Sequence, residues 1–62
     1  MKDVVGKSYV FEDGKSITVT QMKLRDEGKY WVTYMTKIGP GIPVRYVMEY
    51  TEFLHTYGHL FK

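Results

Sequence analysis

Polar and apolar residues alternate along several short segments of this chain, with the period of two that is typical of β-strands. The pattern predicts four strands, at about residues 4–11, 16–24, 29–37 and 43–50. In the third strand the alternation places Tyr30, Val32 and Tyr34 on one face and Trp31, Thr33 and Met35 on the other. From Thr51 onward the apolar residues recur with a helical period, which predicts a short helix at about residues 52–57.

Turn-forming residues separate the predicted strands. Asp13-Gly14 lies between two strand-like segments and predicts a hairpin with a type I′ turn, in which both residues have positive φ. Gly28 is expected to take the left-handed conformation in the second turn, and Gly39–Pro43, with two glycines and two prolines, is predicted to be a loop. Gly6 indicates a bulge or a bend in the first strand. A one-residue shift of the alternation near Thr20–Met22 predicts a β-bulge.

Together these elements predict one small, mainly β domain spanning residues 1–62. It is a four-stranded antiparallel meander, or a partly closed barrel, with a short C-terminal helix. A four-stranded sheet needs one face covered, and the predicted helix supplies an apolar stripe of Phe53, Leu54 and Tyr57 for that purpose. Thr51 is predicted to cap the start of this helix, and Gly58 to end it.

A series of short motifs runs through nearly the whole chain. It consists of Val5-Gly6-Lys7 followed by Tyr9, then Asp13-Gly14-Lys15, Ile17-Thr18-Val19, Tyr30-Trp31-Val32-Thr33-Tyr34 and Glu52-Phe53-Leu54. This order resembles that of small SH3-like β-barrel domains of bacteria and their phages. The resemblance implies a barrel-like fold and assigns no functional residue.

Composition narrows the classes of function. The chain has 62 residues and no cysteine, which excludes disulfides and thiolate metal sites. Small domains without such crosslinks commonly rely on association, so a homo-oligomer is expected. The formal net charge is +2, without the basic stripe of a dedicated nucleic-acid binder. No apolar segment approaches the roughly 20 residues needed to cross a bilayer, and no signal-peptide pattern follows the first residues, so a cytoplasmic protein is expected.

The leading functional hypothesis is a protein-interaction surface. A single sheet layer cannot bury both faces of the third strand, and tryptophan, methionine and arginine are enriched at interaction hot spots. The residues predicted to bind a partner are Trp31, Thr33, Met35, Arg45 and Val47. The chain would then be a non-enzymatic accessory regulator or inhibitor, of the kind that phages encode, acting by protein–protein interaction.

Two alternatives stay open at this point. Nucleic-acid, nucleotide or phosphate binding would use stacked tyrosines with basic side chains and loop amides, namely Tyr30, Tyr34, Lys29, Lys37, Gly39, Gly41 and Arg45. A metal site would use Glu52, His55 and His59, and it would need a second subunit because there is no cysteine or further ligand. Gly58 is expected to break the helix between the two histidines. No nucleophile–base pattern or carboxylate pair is present, so no catalytic residue and no cofactor are predicted.

Overall fold

A computed structural model describes residues 4–61, apart from the side chain of Asp26, so the predicted domain of residues 1–62 extends beyond it at both ends. The strands are β1 (Ser8–Val10), β2 (Lys15–Leu24), β3 (Tyr30–Ile38) and β4 (Val44–Glu49). They form one antiparallel sheet in chain order, followed by helix α1 (Tyr50–Tyr57) and a 3-10 helix (Gly58–Phe61). This confirms the predicted four-stranded meander with a short C-terminal helix. Because β1 and β4 are at opposite ends of the sheet, it is not a closed barrel.

The first strand is much shorter than the predicted segment 4–11. Residues 4–7 form a turn instead, in which the Lys7 amide donates to the Val4 carbonyl at 3.2 Å and Gly6 has a φ of 86°. The Gly6 amide then donates to the Val19 carbonyl at 2.9 Å. This bond holds the turn beside β2, and Val4 is fully buried as a result.

The predicted hairpin between β1 and β2 is confirmed, but its turn is not of type I′. The Phe11 amide donates to the Lys15 carbonyl at 2.7 Å, and Gly14 has positive φ (87°) whereas Asp13 does not. The loop therefore has three residues, with glycine in the left-handed position, which is the next most common hairpin geometry. Asp13 favours it because its carboxylate accepts the Lys15 amide at 2.9 Å.

The second turn contains a strained residue. Among residues 4–61, Glu27 is the one non-glycine residue with positive φ, at 71°, and Gly28 beside it has the same value. The turn is closed by the Arg25 amide, which donates to the Lys29 carbonyl at 2.9 Å. The left-handed conformation costs a residue with a Cβ atom roughly 1–2 kcal/mol.

We therefore expect Glu27→Gly to raise the free energy of unfolding by about 0.5–1 kcal/mol. Glycine relieves the backbone strain, and the greater entropy that it gives to the unfolded chain offsets only part of this gain. Thermal unfolding followed by circular dichroism measures this as a melting temperature several degrees higher. Gly28→Ala should shift it in the opposite direction, since alanine would have to adopt a φ of 71°. A lower melting temperature for Glu27→Gly would contradict the turn geometry.

The bulge predicted from the shifted alternation is present in β2. Its pairing with β3 changes register between Val19 and Gln21. Before the bulge Val19 faces the core, and after it Met22 does, so the bulge keeps apolar residues on one side of a strand whose alternation is interrupted.

Helix α1 begins directly where β4 ends, two residues before the predicted position. Its N-cap is Glu49 rather than Thr51, because a Glu49 carboxylate oxygen accepts the Thr51 amide at 2.6 Å. The helix ends at Tyr57 as predicted, but Gly58 has a right-handed φ of −56° and the chain continues as a 3-10 helix.

The core lies between this helix and one face of the sheet. Phe53 is fully buried, with ring centroids 5.4 Å from Tyr34 and 5.9 Å from Phe61. The buried apolar residues are Val4, Ile17, Val19, Val32, Tyr34, Phe53 and Phe61. The face of β3 that contains Val32 and Tyr34 is therefore the inner face, and the face that contains Trp31 is turned away from the core.

Candidate functional site

The outer face of the sheet carries the residues predicted for partner binding. In the pairing of β3 with β4, Thr33 lies opposite Val47, and Met35 lies opposite Arg45. Residues directly opposite each other in antiparallel strands share a face. The structure thus brings together the five predicted residues, which we call the Trp31 face: Trp31, Thr33, Met35, Arg45 and Val47.

The apolar side chains of the Trp31 face are incompletely buried. Val47 is exposed, and Trp31 and Met35 are each half-buried, so none of the three belongs to the core. The guanidinium carbon of Arg25 lies 5.4 Å from the centre of the Trp31 ring, which is a cation–π arrangement. The indole is therefore held in a defined position at the surface.

Basic side chains share the outer face with this indole. On the outer side of the sheet they are Lys23, Arg25, Lys37 and Arg45. The acidic residue among them is Glu49, which lies opposite Trp31 and uses one carboxylate oxygen to cap α1. The other described acidic residues lie in turns or on α1: Glu12, Asp13, Glu27 and Glu52. Although the two signs are mixed along the sequence, the fold concentrates positive charge on the outer face.

Sequence reasoning did not select Lys23 or Arg25, although a signal was present. Once the second turn is placed at Asp26–Gly28, antiparallel pairing sets Lys23 opposite Trp31. The position of the turn thus fixes the register of the hairpin.

The tyrosines considered for base stacking lie on the other side of the sheet. Tyr34 is only 4% exposed, and its burial, together with the charge and hydrogen bond of neighbouring Tyr57, raises the pKa of its hydroxyl. Tyr30 shares the inner face, whereas Lys37 and Arg45 lie on the outer face. Tyr34 is a core residue, and the structure does not form one surface from these tyrosines and basic side chains.

The Gly39–Pro43 loop does not present the anion-binding amides considered from the sequence. The Gly39 amide donates to the Gly14 carbonyl at 3.3 Å, and the Gly41 amide donates to the Ile38 carbonyl at 2.9 Å. Both donors are therefore used within the fold. Lys29 is exposed just before β3, away from this loop in the chain.

The candidate metal ligands are not gathered within one chain. Among residues 4–61, no three histidine or carboxylate side chains lie close enough to hold a metal ion together. Glu52 and His55 are exposed on α1, while His59 follows in the 3-10 helix, where the helical period changes. A shallow groove of about 460 Å³ beside β4 is lined by Met48, Thr51, Glu52, His55 and Thr56.

No family model matches this chain, and neither a curated protein nor a solved structure proved to be similar to it. The described part of the chain has no helix with the length and apolar character needed to span a membrane.

Proposed function

We propose that this chain is a non-enzymatic binding module whose Trp31 face docks onto a negatively charged surface of a partner protein. The supporting observation is the combination of incompletely buried Trp31, Met35 and Val47 with four basic residues on the same face of the sheet. Desolvated aromatic and apolar groups contribute most of the affinity at such interfaces, while the charges orient and accelerate the encounter. The partner would present carboxylates around an apolar recess that accepts the indole.

Nucleic acid is the competing acidic partner, and the distribution of aromatic residues argues against it. Proteins that bind single strands stack successive bases on several rings along a basic groove. Across β2, β3 and β4 the outer face holds one aromatic ring, that of Trp31, and Arg25 already stacks on it. A protein surface needs no series of stacking rings.

Trp31→Ala tests this proposal. A protein retained from a cell extract by the immobilised chain is identified, purified and titrated against wild-type and variant chains by calorimetry. We expect Trp31→Ala to weaken binding at least about 30-fold, because truncating a central tryptophan commonly costs about 2 kcal/mol or more. The variant should remain folded by circular dichroism, since Trp31 lies outside the core.

The matched control is Leu24→Ala, which removes an exposed apolar side chain from the opposite side of the sheet. It should leave the affinity unchanged. Equal affinity of wild type and Trp31→Ala would contradict the role of the Trp31 face. Binding to a single-stranded oligonucleotide that falls steeply with salt, and is lost in Trp31→Ala, would replace the protein partner with nucleic acid.

A further inference from the structure

β4 is an edge strand with little protection against pairing. It is last in the order of the sheet, so no described strand pairs with its outer side. Natural edges are commonly blocked by short length, charged side chains (lysine above all), proline or a bulge. β4 has six residues, contains no proline or lysine, and pairs with β3 without a register shift; its two charged residues, Arg45 and Glu49, have opposite signs. The opposite edge, β1, is by contrast only three residues long.

β4 has accessible apolar side chains on both faces of the sheet. Val44 and Tyr46 are 50% and 48% exposed on the inner side, and Val47 is 47% exposed on the outer side. An accessible apolar strand with unpaired backbone groups is a template for the addition of another strand.

We propose that two copies of this chain pair antiparallel through β4, about a two-fold axis at Val47. The two sheets of four strands then form one continuous sheet. The paired edge includes Arg45 and Val47 of the Trp31 face. The inference nevertheless rests on backbone pairing at the edge of the sheet, and it does not depend on the docking of a partner protein.

The charges of β4 select the register. Opposite residues in an antiparallel pair lie on the same face of the sheet. The two-fold axis must therefore lie where a residue pairs with the same residue of the second copy, because an axis between two residues would place inner-face residues opposite outer-face residues. With the axis at Val47, Arg45 of each copy lies opposite Glu49 of the other, which forms two Arg–Glu pairs on the outer face. With the axis at Tyr46, Arg45 would lie opposite Val47, and Glu49 would lie opposite Pro43, beyond the end of the strand.

Glu49 can cap α1 and pair with Arg45 of the second copy at the same time. One of its carboxylate oxygens, Oε2, accepts the Thr51 amide at 2.6 Å. A carboxylate has a second oxygen and several acceptor positions, so it can receive the Arg45 guanidinium of the second copy while it caps α1.

The same register brings complementary groups together on the inner face. Tyr46 of one copy lies opposite Met48 of the other, and Met48 lines the groove beside α1. The Tyr46 ring stacks on Tyr34 of its own chain at 5.6 Å and is half-exposed, so its accessible side would lie beside this groove and gain a contact with the Met48 sulfur. The groove beside α1 and the edge of β4 are therefore both suited to the same occupant, a second copy of the chain.

Sedimentation velocity over a wide concentration range tests the inference. We expect the wild-type chain to form a reversible dimer. Arg45→Glu should weaken this dimer at least about tenfold, because both Arg–Glu pairs become Glu–Glu pairs. Lys37→Glu makes the same charge change on the outer face of β3, away from the edge, and should leave the dimer intact.

Mixing two variants tests the register itself. Arg45→Glu and Glu49→Arg should each dimerise poorly alone, yet form a heterodimer when mixed, because each Arg–Glu pair is restored with exchanged partners. Val47→Asp places two like charges at the axis without touching the helix cap, and it keeps the test decisive if Glu49→Arg does not fold. A wild-type chain that is monomeric throughout, or a dimer unaffected by Arg45→Glu and Val47→Asp, would overturn the inference.

Discussion

Phe53→Ala should leave this chain largely unfolded at room temperature. The Phe53 side chain is fully buried, and its ring contacts those of Tyr34, Tyr57 and Phe61. Truncation of a core phenylalanine typically costs about 3–5 kcal/mol. A single core in a chain of this size rarely supplies more than about 3–5 kcal/mol in total. The loss is therefore comparable to the whole stability of the domain.

Far-ultraviolet circular dichroism and one-dimensional proton NMR measure the outcome. The variant should lack dispersed amide signals and a cooperative thermal transition. Thr56→Ala is the matched control, since it truncates an exposed side chain on the same helix, and its stability should stay within about 0.5 kcal/mol of the wild type. A Phe53→Ala chain that melts cooperatively near the wild-type temperature would contradict the central position of this residue.

Val4→Asp should destabilise the chain by more than about 3 kcal/mol. Val4 precedes the first strand, yet it is fully buried, because the turn at residues 4–7 returns the chain to β2. An unpaired carboxylate at this position would have to be buried or protonated, and either requires the turn to detach from the sheet.

Chemical denaturation of the two neighbouring variants measures this effect. Val5→Asp is the control, because Val5 is adjacent in sequence and exposed. Its free energy of unfolding should change by less than about 1 kcal/mol. Similar losses for both variants would show that the segment before β1 is not anchored by Val4.

The alternation of side chains was sufficient to predict β2, β3, β4 and the bulge to within about one residue. The register of a strand follows from which of its faces is buried. Near Thr20–Met22 the alternation of apolar residues shifts by one, so these residues can all face the core only if one extra residue is inserted in the strand. Trp31 and Tyr34 were assigned to opposite faces for the same reason. Which of these faces is inner depends on where α1 packs, and strand periodicity alone does not contain that information.

The first strand is too long in the prediction because backbone hydrogen bonds form a turn at residues 4–7, and two other errors lie where side chains bond to the backbone. Asp13 accepts a backbone amide and shifts the first turn to a three-residue loop, and Glu49 caps α1 in place of Thr51. In both places local hydrogen bonds compete for the same backbone groups, and the propensities of the residues do not indicate which bond forms. The basic character of the Trp31 face was missed because its charges come from separate strands and meet only after pairing.

Because α1 packs on one face of the sheet, the residues of the two faces are under different structural constraints. Residues of the inner face hold the fold together, whereas Trp31, Thr33, Met35, Arg45 and Val47 contribute little to the core. Their identities can therefore change while the architecture persists. A library randomised at these five positions should remain largely folded, which would make the domain a small, cysteine-free scaffold for selecting new binding specificities.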